Sequence, residues 1–129
     1  IAGQAMVAPG GIHLGLTPRK EIRLISSPPI WGVRPAVDIM MADVATCYGA
    51  AALGVILTGM GRDGAQGLLQ VRQAGGATLA QDEASCTVYG MPRAAVENGA
   101  AERVLPPAEI AAAIIEWCES ASLVPAANA

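Results

Sequence analysis

The chain has 129 residues, 53% of them apolar, with 15 glycines and no phenylalanine, a composition that excludes disorder and suits one close-packed α/β unit. Its net charge of -3, with no basic cluster, excludes the electrostatic footprint of a nucleic-acid binder. No apolar run reaches the roughly 20 residues of a membrane-spanning helix, and no basic flank precedes the apolar N-terminus, so the sequence predicts no membrane insertion and a cytoplasmic location.

Gln4 to Ala8 (QAMVA) reads as a short strand ended by Pro9-Gly10-Gly11, and Glu21 to Ile25 (EIRLI) as a second, with Thr17-Pro18 as a break between them. The two are expected to form a small β-ribbon. Ser26 to Pro35 is a proline-bearing connector. From Pro35 the pattern turns helical, with Val37, Met40, Met41, Val44 and Ala45 on one face and Gly49 as the stop.

Leu53 to Thr58 (LGVILT) is a continuous apolar run, the signature of a strand buried on both faces of a parallel sheet. A helix is predicted from about Asp63, with Leu68, Leu69 and Val71 inward and Gly75-Gly76 ending it. Ala77 to Ala80 is the next strand, Gln81 to Gly90 a polar loop, Met91 to Asn98 a short helix closed by Gly99, Glu102 to Leu105 a strand, and Glu109 to Glu119 an amphipathic helix. The tail SLVPAANA is expected to fray. This alternation implies a partial doubly wound, mainly parallel sheet with flanking helices, Rossmann-like, with right-handed crossovers. Sites in such sheets lie outside the carboxyl ends of the strands. Thr58 to Gly64 and Gln81 to Gly90 both lie at such ends and are expected to share one rim.

The turn VILTGMGRDGAQG (Val55 to Gly67) admits two chemistries. Gly59, Gly61 and Gly64 spell GxGxxG, and Asp82 or Glu83 lies about 20 residues on, where a dinucleotide site places its ribose-binding acid. Against that, Asp63 at the helix N-terminus would fill the anion site and repel phosphate. The alternative is that the helix terminus holds Asp63 ionised at the rim, where a carboxylate can orient a histidine and stabilise its imidazolium. A third role is purely structural: Asp63 caps its own helix, and asparagine would then cap it nearly as well.

A triad contained in this chain would need Ser85 or Cys86 as nucleophile with His13, the single histidine, as base, and no GxSxG elbow is present. A structural role for His13, just after APGG, is preferred. Cys47, Cys86 and Cys118 form no CxxC pair and are expected as reduced core thiols.

The segments VAPGGIHL, RPAVD, GVILTGMGRDGA and AQDEASCTVYGMPRAA, in this order along the chain, resemble the C-terminal half of the catalytic domain of the chemotaxis protein-glutamate methylesterase family, CheB. The resemblance runs from about Met6 to about Ile115. It implies an α/β serine hydrolase with a Ser-His-Asp triad that removes methyl groups from glutamate methyl esters on chemoreceptor cytoplasmic domains and deamidates certain receptor glutamines. It further implies an N-terminal phospho-receiver domain and no cofactor or metal. The family's aspartate lies in TGMGxDG, which places it at Asp63; Met60 would help to shape the rim.

The family's serine and base histidine lie upstream of APGGIHL, and His13 matches a family histidine that is not the base. Ala36 stands where RPSVD is usual, and Trp31-Gly32-Val33 replaces a more polar run. The expectation is therefore a fragment, residues 1–120 forming half of a catalytic domain and 121–129 a tail, inactive alone and able to dimerise through an exposed sheet edge. The other expectations are a non-catalytic receptor-binding or regulatory module and a nucleotide-binding half-domain.

Overall fold

The computed structural model describes residues 2–122. A two-stranded antiparallel ribbon, β1 (His13–Leu16) and β2 (Ile22–Ile25), is registered with His13 opposite Ile25 and Leu16 opposite Ile22. Then follow α1 (Val37–Tyr48), a single 3-10 turn Gly49–Ala51, β3 (Leu53–Ile56), α2 (Ala65–Gln73), β4 (Ala77–Gln81), α3 (Met91–Glu97), β5 (Arg103–Leu105) and α4 (Pro107–Ser122). The three later strands form one parallel sheet in the order β3-β4-β5. Residues 123–129, on which most of the fraying tail was expected, lie outside the described residues.

Side chains alternate across a strand, so each strand serves both faces of the sheet. Ile56 joins Met41, Ala45, Leu68, Val71 and Ala95 in the core beneath α1, α2 and α3, whereas Leu53, Val55 and Leu79 pack with Ile110 and Ala113 of α4. Helices on both faces make the doubly wound arrangement that the alternation predicts. Leu68 and Val71 are fully buried, as the periodicity of α2 requires. The predicted face of α1 also holds, with Met41 and Ala45 buried and Val37, Met40 and Val44 packed against them.

Three local expectations are corrected. Residues 4–8 form no strand, and Val7 is 95% exposed; the ribbon partner of β2 is instead HLGL, whose His13 side chain turns inward. That strand depends on a distant partner, because Asp43 of α1 accepts the Leu16 N–H at 2.8 Å and pairs with Arg23 of β2 at 3.3 Å. α2 begins at Ala65, since Gly64 takes a φ of 98°, a left-handed conformation that glycine tolerates and that lies outside the helical region. Finally, none of the cysteines is a core residue: Cys47 and Cys86 are half-buried and Cys118 is exposed.

Candidate active site

The carboxyl ends of β3 and β4 are stitched into one rim, as their order predicts. Gln81, buried at the end of β4, accepts the Thr58 N–H on Oε1 at 2.8 Å and donates from Nε2 to the Ser85 carbonyl at 3.1 Å. Beyond it, Val88 donates its N–H to Thr58 Oγ1 at 2.9 Å, Gly59 donates to the Val88 carbonyl at 3.1 Å, and Met91 donates to the Gly59 carbonyl at 2.8 Å. The loops touch so closely at Gly90 that a Cβ there would meet the Gly59 carbonyl oxygen at 2.7 Å and the Gly61 nitrogen at 3.0 Å. Met60 stands out from this rim, 86% exposed.

Asp63 is 8% exposed, and the helix it caps is not its own. Its Oδ2 accepts the Val37 N–H at 2.7 Å and its Oδ1 the Asp38 N–H at 3.0 Å, so it closes the N-terminus of α1, whose own N-cap, Ala36, has no side-chain acceptor. Asp38 returns the favour across the same gap. Its Oδ1 accepts the Gly64 N–H at 3.0 Å and the Gly67 N–H at 2.8 Å, closing the start of α2. Each helix thus carries the cap of the other. An ionised carboxylate has about four lone-pair sites, and the two backbone bonds leave Asp63 able to accept a further N–H.

This arrangement corrects two expectations about the turn. The simple N-cap on α2 is ruled out, and with it the expectation that asparagine would serve as well: two N–H groups face two different oxygens, and an amide has one. The dinucleotide cradle fails as well, because the anion position at the start of α2 is filled by the Asp38 carboxylate. Asp82, one of the acids proposed for a ribose, accepts instead from Ser85, through both its N–H and its hydroxyl.

The remaining candidates separate in the same way. His13 is fully buried, with Nδ1 accepting the Ala36 N–H at 3.0 Å and Nε2 donating to the Pro28 carbonyl at 2.9 Å. Both ring nitrogens hold backbone, which is the structural role and leaves no base for a triad within this chain. The Ser85 hydroxyl is likewise committed to Asp82 and Gln81. Among the described residues no group of three or more His, Cys, Asp or Glu could hold a metal, and no helix is long and apolar enough to cross a membrane.

The bonding of Asp38 and Trp31 escapes a reading of the sequence. An acid in the first turn of α1 reads as a favourable charge on its own helix, and nothing local announces that it caps another. Trp31 donates Nε1–H to Asp38 Oδ2 at 3.2 Å, and the Arg62 guanidinium lies over its ring at 4.5 Å. Together they wall an open groove of about 580 Å³ whose other side is formed by Gln66, Arg93, Glu97 and Asn98. Glu97 bonds Arg93 at 2.8 Å and raises the pKa of that guanidinium above its ordinary value.

Fold and rim define a doubly wound α/β domain whose candidate site is a buried carboxylate at the carboxyl ends of its strands. The chain belongs to the CheB methylesterase family, whose profile matches residues 1–114. It is 54% identical over 119 residues to a protein-glutamate methylesterase/protein-glutamine glutaminase 2 of Pseudomonas aeruginosa, a match that covers 90% of this chain and 34% of the relative. It is 47% identical over 117 residues to the protein-glutamate methylesterase FrzG of Myxococcus xanthus, covering 91% of this chain and 35% of that protein. The crystal structure of the Thermotoga maritima CheB methylesterase catalytic domain superposes with a TM-score of 0.81 at 42% identity, covering 84% of this chain and 59% of that one. The chain thus spans about a third of the length of the curated relatives it matches.

Proposed function

We propose that this chain is the C-terminal half, residues 1–120, of the catalytic domain of a protein-glutamate methylesterase and protein-glutamine glutaminase, and that Asp63 is the acid of its Ser-His-Asp triad. The observation that carries the proposal is the Asp63 carboxylate, 8% exposed at the shared rim, clamped by two backbone N–H groups and with acceptor capacity to spare. In the reaction, a serine from the preceding half of the domain attacks the γ-ester carbonyl while a histidine from that half takes its proton. The histidine returns the proton to the departing methoxide, methanol leaves, and water then hydrolyses the acyl-enzyme to free the glutamate. Asp63 accepts the other ring N–H of that histidine, holding its tautomer and stabilising the imidazolium.

The substrates on this reading are methylated and amidated side chains of chemoreceptor cytoplasmic domains. The parent protein is cytoplasmic and carries a phospho-receiver domain. The 129-residue chain alone should be inactive, because loss of a triad serine or histidine costs orders of magnitude in rate. The test is methanol release from methylated receptor by the full-length protein. Intact, folded protein that binds receptor and releases none would replace the proposal with a non-catalytic receptor-binding module.

A further inference from the structure

We propose that Asp38 is a positioning residue for the Asp63 carboxylate, an inference that rests on the placement of Asp63 in the triad. Asp63 is gripped at both ends by one residue of α1. Its side chain is held by the Asp38 and Val37 N–H groups at 3.0 and 2.7 Å, and the peptide that follows it is held by the Asp38 carboxylate, which accepts the Gly64 N–H at 3.0 Å and the Gly67 N–H at 2.8 Å. Because a peptide unit is planar, fixing the Gly64 N–H also fixes the direction in which the Asp63 backbone leaves its α-carbon.

The grip is itself locked. Asp38 Oδ2 accepts the Trp31 Nε1–H at 3.2 Å, so the carboxylate cannot swing away from Gly64 without losing a third bond. Trp31 in turn stacks under Arg62, the residue preceding Asp63, at 4.5 Å. The contacts close a ring from Asp63 through Arg62, Trp31 and Asp38 to Gly64 and back. A triad acid works only while its oxygen stays in hydrogen-bond reach of the imidazole, and misplacement by about 1 Å can cost about a hundredfold in rate. The chemistry therefore depends on a side chain that touches neither substrate nor histidine.

The experiment compares Asp38→Ala, Asp38→Asn and Asp38→Glu with Asp63→Asn in the full-length protein, by methanol release across pH, with thermal midpoints in parallel. Asp38→Ala should lower kcat by about 10–100-fold with KM within about threefold. The acid limb of its kcat/KM profile should move roughly half a unit to lower pH, since a loosened acid stabilises the imidazolium less. Asp38→Asn keeps an oxygen for Gly64 and Gly67 but turns its amide NH2 toward the Trp31 N–H, so it should recover part of the loss; Asp38→Glu keeps the charge but displaces it by a methylene and should recover less. A folded Asp38→Ala variant with wild-type kcat and an unmoved acid limb overturns the proposal. If that variant fails to fold, Glu equal to or better than Asn overturns it instead. Wild-type turnover in Asp63→Asn would remove the triad assignment itself, an outcome distinct from a failure confined to Asp38.

Discussion

On the proposed reading Asp63 answers two demands with one carboxylate, as the cap of α1 and as the triad acid, and a single substitution tests both. In Asp63→Asn the amide turns an N–H toward either Val37 or Asp38, whose donors sit on separate oxygens at 2.7 and 3.0 Å. A buried donor facing a donor costs about 1–3 kcal/mol, so the thermal midpoint should fall, in contrast to an exposed N-cap where asparagine and aspartate are nearly equal. Turnover of the full-length enzyme, normalised to folded protein, should also fall by up to about 10⁴-fold, because the amide permits the wrong histidine tautomer. A lower midpoint with wild-type turnover per folded molecule would leave Asp63 as a cap alone.

Between elements, α1 and α2 make the most extensive pairing of the described fold, and Gly67 sets how near they come. A Cβ on Gly67 would meet Met41 Cβ at 2.6 Å and the Asp38 α-carbon and carbonyl oxygen at 3.1 and 3.3 Å. Gly→Ala inside a helix ordinarily gains about 1 kcal/mol, but here the obstacle is largely backbone, and overpacking of this kind costs about 1–3 kcal/mol. Gly67→Ala should therefore be net destabilising, a sign that chemical denaturation of the full-length protein can read directly.

The same pair of helices shows where the sequence was legible. From Val37 onward apolar spacing, together with glycine and proline stops, locates each α-helix and strand to within a few residues, and only the 3-10 turn Gly49–Ala51 is missed. The ribbon was half legible. EIRLI carries strand-like side chains, whereas HLGL owes its place to Asp43 and to the backbone partners of His13. TGMGRDG marked Asp63 as a candidate site residue, but its bonding did not follow, because the donors it serves lie 26 and 25 positions earlier. A cap supplied by another helix has no local signature, and Asp38 went unread for the same reason.

At the scale of the molecule, β4 is central and β3 is an edge strand, with a pairing partner among the described residues on one side only. An unpaired strand edge presents a row of N–H and C=O groups to any available strand. If that edge takes a preceding strand of the intact domain, the 129-residue polypeptide produced alone should self-associate in the micromolar range, whereas the full-length protein should not do so through this edge. Sedimentation velocity of both separates the cases, and a short polypeptide that stays monomeric would show that the edge is shielded in another way. The mutual capping has a further consequence, for how the protein breathes. Val37 and Asp38 cannot release their amides unless Asp63 withdraws, and Gly64 and Gly67 cannot release theirs unless Asp38 does, so a fluctuation that parts the two helix starts frees all four together. In deuterium exchange these four amides should behave as one opening unit with a common free energy, although they belong to two turns of chain that are remote in sequence.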